Sequence, residues 1–330
     1  MIGLYLAPME DLSGYVFRNT LSKHFGCVDK YFTPFISPDN RIMKTRSKRE
    51  LIPSNNEGLN VVPQLLTNDP DLFGVGARLI AEFGYREVNI NFGCPSNTVT
   101  AKFKGSGILR SPDTMNRFLD GIFNGAGSVL KSYPDLKISV KTRVGYNDTS
   151  DFDEVLGILS QYPFSEIIVH PRLKIDLYGG SPRMDMFEKA CEKLSGNIVY
   201  NGDVYTVDDF SSLTKEFENM SYASGCRIAA IMIGRGAIRN PGIFRQIRTG
   251  QAMTVTELYD FLLDLYENYK EDFGGTNAIA KMKEVWTYTC GLIDDDKERS
   301  HILKSIIKLK SESEYKDAIL IAKSKIGRTL

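Results

Sequence analysis

Eight short apolar, β-branched segments recur along roughly the first 250 residues of this chain, most of them separated by a helix-like stretch, and this rhythm limits the fold more than any other feature. The sequence predicts strands at 2–7 (IGLYLA), 30–36 (KYFTPFI), 60–66 (NVVPQLL), 87–92 (EVNINF), 137–143 (KISVKTR), 166–170 (EIIVH), 197–201 (NIVYN) and 229–234 (AAIMIG). Eight strands with helical crossovers over this length fit an α/β fold of the parallel (β/α)8 TIM-barrel type. The rival, an open doubly wound sheet, would carry a Gly-rich phosphate turn after its first strand. Here the first strand runs into APMEDLSG, and glycines gather instead after the seventh and eighth strands. Helix starts are legible at Asp69-Pro70 and at Ser111-Pro112. After residue 250 the pattern turns helical throughout, opened by a capping box of Thr254 and Glu257. The expected organisation is a barrel domain over 1–250 and a small all-helical domain over 254–330.

Composition narrows the function classes. A formal net charge of zero gives no long-range attraction to a polyanion, so any nucleic-acid contact must come from local basic patches. No stretch approaches 18 apolar residues, and the apolar start is too short for a secretory leader. The five cysteines, Cys27, Cys94, Cys191, Cys226 and Cys290, are scattered and never spaced C-x-x-C. That argues against a disulfide framework or a metal site and for a reducing cytoplasm.

In a barrel the active site lies at the carboxyl ends of the strands. The first strand delivers Pro8 and Met9 there; the third delivers Gln64; the fourth delivers Asn89 and Asn91 on one face, then Cys94. The fifth carries Lys141 and Arg143, the sixth His170 and Arg172, the seventh Asn201-Gly202-Asp203, and the eighth Gly234-Arg235. Each has a bland reading as a turn or ion-pair residue. Polar groups on six of eight strand ends are harder to explain by packing, because burying them unpaired is costly. A polar ligand accounts for them together. The two glycine-containing loops after strands seven and eight suit a phosphate, and Arg235 can add a charge-assisted contact. Gln64 and Asn91 can serve a heterocycle edge, and Lys141 can offset negative charge on a ring. That combination is what FMN requires.

These residues sit in stretches that resemble the tRNA-dihydrouridine synthases: APM, NINFGCPSNTV, SVKTRVG, IIVHPR, VYNGDV and IMIGRGAIRNPGIF, with KMKEVWTYTCGL in the helical tail. The resemblance implies a flavin-dependent reductase of uridine in tRNA with NADPH as reductant; a monomer is expected, though the sequence leaves oligomeric state open. It implies that Pro8, Met9, Gln64, Lys141, His170, Asn201, Gly202, Asp203, Gly234 and Arg235 hold FMN, that Asn91 helps place the base, and that Cys94 is the catalytic acid. A thiol with an ordinary pKa of about 8.5 stays protonated at neutral pH yet can release its proton within reach. The chain departs from the family's usual pattern at Pro171, at Leu173 and in the longer loop TAKFKGSGIL.

A uridine inside folded RNA must be extruded to meet a flavin. Phosphate contacts that offset this are expected from the segment 41–49, with Arg46, Lys48 and Arg49, and from Lys102 and Lys104; Arg143 and Arg172 are expected on the substrate side. The tail 297–330 holds nine Lys/Arg against four Asp/Glu, which suits an RNA-binding role for the helical domain. Rival readings are a reductase of a free pyrimidine, similar to dihydroorotate dehydrogenase, a synthase acting on ribosomal RNA, and an RNA-binding barrel without catalysis.

Overall fold

In the computed structural model of this chain, residues 1–39 and 45–326 are described. Nine parallel strands form the sheet: β1 Gly3–Leu6, β2 Lys30–Phe32, β3 Val61–Val62, β4 Gln64–Leu65, β5 Glu87–Phe92, β6 Lys137–Gly145, β7 Ile167–Leu173, β8 Gly196–Tyr200 and β9 Cys226–Ile233. Their order is β3-β2-β1-β9-β8-β7-β6-β5-β4. The two ends of that order, β3 and β4, are consecutive in the chain and flank Pro63, so the sheet returns on itself as a TIM barrel. Proline lacks the N–H that the ladder needs and divides the expected strand 60–66 in two. Its carbonyl still accepts from the Asn89 N–H at 2.9 Å.

Other boundaries moved for local reasons. The strand expected over 30–36 ends at Phe32, two residues before Pro34, and the chain rejoins the sheet only at an Ile36–Leu65 bridge. Strands β6 and β7 run past their expected ends at 143 and 170, to Gly145 and Leu173. Inside the ring, Tyr5, Ala7, Phe32, Val62, Ile168, Val199, Ala230 and Met232 form a buried apolar cluster. The helix Pro70–Glu82 starts where Asp69 accepts from the Asp71 and Leu72 N–H groups, and it buries Phe73, Ala77 and Ile80. The helix Pro112–Phe123 likewise starts at a proline, but the Ser111 hydroxyl pairs with Thr114 Oγ1 at 2.8 Å rather than capping the backbone.

The described chain divides into two compact units. The first comprises Met1–Pro8, Lys30–Gly202 and Phe217–Met232; the second comprises Met9–Asp29, Asp203–Glu216 and Ile233–Leu330. The C-terminal helices therefore share a unit with the helix Tyr15–His24. Within that unit the helix Val255–Phe273 opens on a capping box, with Thr254 N–H donating to Glu257 Oε2 at 2.8 Å and Glu257 N–H donating to Thr254 Oγ1 at 3.2 Å. Arg245 binds the same carboxylate and, with the Thr254 N–H, holds its pKa down to about 2. Phe261 meets Phe17 and His24 edge-on, at 5.9 and 5.7 Å between ring centres. Farther along, Tyr315 stacks on Tyr266 at 4.8 Å and fixes the helix Glu312–Lys323. Among the described residues no helix is long and apolar enough to cross a membrane.

Candidate active site

Strand β5 alternates, so Glu87, Asn89 and Asn91 share one face. The paired strand β6 sets Ser139 opposite Asn89 and Lys141 opposite Asn91. Cys94 follows β5 by two residues, in a loop fixed by backbone atoms. Asn91 Oδ1 accepts from the Gly93 N–H at 3.0 Å and the Cys94 N–H at 2.8 Å. The Cys94 carbonyl accepts from the Ser106 N–H at 3.1 Å and its hydroxyl at 2.9 Å. The Gly93 carbonyl accepts from Arg143 Nε at 3.0 Å. Gly105 packs beneath this loop at φ +56°, where an added Cβ would lie 2.8 Å from the Cys94 carbonyl oxygen, so only glycine fits. Cys94 nonetheless keeps partial exposure, whereas Cys191 and Cys290 are buried.

Lys141 stands beside that loop. Its Nζ is 3.9 Å from where a Cβ on Gly93 would be, and no hydrogen-bond or salt-bridge partner holds it among the described residues. Some surface remains exposed, yet desolvation pushes its pKa down to about 7, with Arg143 adding to the fall and Cys94 opposing it. A cation this poorly compensated is suited to receive an anionic group.

The two arginines turn inward. Arg143 is 1% exposed, and besides Gly93 it binds the carbonyls of Leu173 and Leu177, each at 2.7 Å. Burial lowers its pKa to about 10. Arg172 is fully buried and binds the carbonyls of Gly179 at 3.1 Å and Gly180 at 2.6 Å. Its Nη1 lies 3.3 Å from His170 Nε2, which must accept there, so a neutral His170 carries its proton on Nδ1. Both side chains tether the loop after β7, because a buried guanidinium needs acceptors and backbone carbonyls supply them.

The structure also places the remaining candidates of the first unit. Gln64 is buried, accepting from Asn91 Nδ2 and donating to Asn89 Oδ1, both at 2.7 Å. Asn201 Nδ2 donates to the Met232 carbonyl at 2.9 Å, tying β8 to β9. Gly202 follows, where a Cβ would lie 2.1 Å from the Tyr200 hydroxyl. Pro8 is half-buried after β1. Lys102 is exposed and Lys104 half-buried in the loop after the cysteine. Lys48 is exposed and Arg49 half-buried on the helix Thr45–Leu51; the side chain of Arg46, and residues 40–44 with Arg41 and Lys44, lie outside the described residues. In the second unit, Met9 N–H donates to Ser13 Oγ at 2.7 Å, and Arg235, which follows Gly234, pairs with Asp203 at 2.5 Å.

Sequence reasoning passed over Glu87, Ser139, Gly105 and Ser106. The first two were findable, since they continue the alternation of Asn89–Asn91 and of Lys141–Arg143. The other two belong to TAKFKGSGIL, where only the loop's length signalled a task.

Comparison with known proteins gives a consistent match. The sequence profile described as Dihydrouridine synthase (Dus) matches residues 5–320. The chain is 28% identical over 275 residues to the tRNA-dihydrouridine(16) synthase of Pseudomonas syringae pv. tomato, covering 79% of this chain and 81% of that one. It is 29% identical over 244 residues to tRNA-dihydrouridine synthase B of Pasteurella multocida, covering 73% and 68%. Among solved structures, a variant of NCR from Zymomonas mobilis aligns with a TM-score of 0.50 at 13% identity, covering 76% of this chain and 87% of that one, a likeness of fold alone.

Proposed function

The chain belongs to the dihydrouridine synthase family, and from that premise we propose that it reduces the uracil 5,6 double bond of particular uridines in tRNA, using FMN as cofactor, NADPH as reductant and Cys94 as proton donor. The observation that carries this reading is the pairing of a fixed, partly exposed Cys94 with the ammonium of Lys141, unpartnered among the described residues. An anion-seeking cation beside a rigid thiol is the pair of groups that a flavin and a pyrimidine substrate would use here. In the first unit, Pro8, Gln64, Lys141, His170, Asn201 and Gly202 would hold the cofactor. A bound, reduced flavin supplies hydride to C6 of the base. Cys94 delivers the proton to C5, and Asn91 orients the base through the N–H that its loop does not use. Arg143 keeps Gly93, and so the thiol, in place. The names of the relatives favour tRNA as the substrate. The helices of 254–330 would add RNA-binding surface, and the reaction would take place in the cytoplasm.

Mapping dihydrouridine in RNA from cells with and without this gene tests the proposal. Loss of the modification from defined tRNA positions is the expected result. Loss only from ribosomal RNA, or activity on free uracil or orotate with no change in RNA, would replace it with one of the rival readings.

The basic segment makes a separate prediction. Alanine at Arg46, Lys48 and Arg49 together should weaken tRNA binding and flatten the slope of log K against log salt by about 2–3, since each lost phosphate contact removes about 0.7–0.9. The slope comes from filter binding or fluorescence at several ionic strengths. An identical slope in the variant would remove this segment from the RNA interface.

A further inference from the structure

A line of hydrogen bonds runs along the barrel wall beneath Cys94, and from the Cys94 N–H down to Ser139 every donor points towards Glu87. At the amino ends of the strands, Lys30 Nζ binds Glu87 Oε2 at 3.0 Å and Glu166 Oε2 at 2.8 Å. The other Glu87 oxygen accepts from the Ser139 hydroxyl at 2.6 Å. Ser139 Oγ accepts from Asn89 Nδ2 at 2.9 Å, Asn89 Oδ1 from Gln64 Nε2 at 2.7 Å, and Gln64 Oε1 from Asn91 Nδ2 at 2.7 Å. Asn91 Oδ1 then accepts from the Gly93 and Cys94 N–H groups. Ser139, Asn89 and Gln64 are fully buried and Asn91 is 6% exposed, so water cannot substitute for a missing partner.

The direction is anchored at both ends: the Gly93 and Cys94 N–H groups can only donate, and Glu87 accepts at the other end. The two ends of a side-chain amide have nearly the same shape, so packing alone cannot choose between them. An ionised carboxylate can only accept. Ser139 must therefore give its single proton to Glu87 and accept from Asn89, and each amide in turn inherits its orientation from the one before. Turning any of them round would set oxygen against oxygen and nitrogen against nitrogen.

We propose that Glu87, acting through Ser139 and Asn89, is a positioning residue that, together with the donating N–H groups of Gly93 and Cys94, locks the polarity of Gln64 and Asn91 and thereby steadies the backbone of Cys94. With its oxygen committed to the loop, Asn91 has only an N–H left to offer. The group that faces it must then be an acceptor, such as a pyrimidine carbonyl; this last point rests on the function proposed above, whereas the polarity does not.

The test uses full-length, flavin-free protein labelled with 15N only in cysteine, which yields five backbone amide signals; Cys94→Ala identifies the relevant one. Ser139 lies opposite Asn89, five residues and about 16 Å of chain before Cys94. Ser139→Ala and Glu87→Gln should each move the Cys94 amide signal well beyond the scatter of the other four, and Ser139→Thr should restore it. Ser165→Ala is the control, because that hydroxyl binds the Ile138 carbonyl at 3.1 Å and lies outside the line. An unmoved Cys94 signal in Ser139→Ala, or an equal shift in Ser165→Ala, overturns the proposal. Should the alanine variant fail to fold, Glu87→Gln gives the same two outcomes. In the holoenzyme, Ser139→Ala should also slow uridine reduction by roughly tenfold through misplacement of the thiol. A shifted signal with undiminished turnover would confirm the polarity and count instead against Cys94 as the proton donor.

Discussion

Cys94→Ala is expected to retain flavin and its reduction by NADPH while uridine reduction falls by about 10²–10⁴-fold, the usual contribution of a positioned general acid. The substitution separates chemistry from architecture. Asn91, Ser106 and Arg143 hold the loop through backbone atoms of Gly93 and Cys94, and alanine keeps all of those atoms. A conformational explanation of the lost rate would therefore need a loop displacement that nothing in these contacts provides. Cys94→Ser sharpens the result, because a hydroxyl matches the thiol in place but holds its proton far more tightly. Its rate should fall between those of the wild type and the alanine variant. Single-turnover oxidation of the reduced flavin by tRNA measures the relevant step directly. An alanine variant oxidised at nearly the wild-type rate would exclude this thiol as the acid.

The second large effect concerns Lys141. Lys141→Met should weaken flavin binding by at least about tenfold, equivalent to about 1.4 kcal/mol, because it removes the cation proposed to face the ring. The flavin-free protein supplies a test that does not depend on the cofactor. The folded-state pKa of Lys141 is about 7 against an ordinary 10.5. Between those values the unfolded chain holds a proton that the folded chain has released. Stability from this group therefore rises with pH across that window and is flat outside it. The methionine variant lacks this dependence. It should melt above the wild type near pH 6, with the advantage shrinking as pH is raised from 7 towards 10. Thermal melts of the two proteins across that range decide the matter, and curves that stay parallel would mean Lys141 is charged throughout.

The barrel was legible because its strands are short, regularly spaced and enriched in β-branched residues; β5 occupies the expected 87–92. The caps expected at Asp69 and at Thr254 with Glu257 are present because they depend on neighbours within three residues, whereas the Ser111 hydroxyl turns to Thr114 instead. Asn89, Asn91 and Lys141 could be placed together from a period of two. The arginines show where such reasoning stops. Alternation sets Arg143 on the same face as Lys141, but it cannot reveal that the carbonyls of Leu173 and Leu177 arrive there from 30 or more residues away. Ser106 is hidden for the same reason, reaching Cys94 across 12 residues of loop. The grouping of residues 9–29 with the C-terminal helices is equally long-range, since Phe17 and His24 meet Phe261 only after the chain has folded.

The closure at Pro63 has a consequence for how this chain behaves among its own copies. A sheet of β-branched segments with open borders offers rows of unsatisfied N–H and C=O groups on which another polypeptide can grow. Here both borders meet within a single five-residue stretch, so neither is available as a template. Protection against self-association is thus concentrated in residues 61–65, and damage there would lay bare two sticky margins at once.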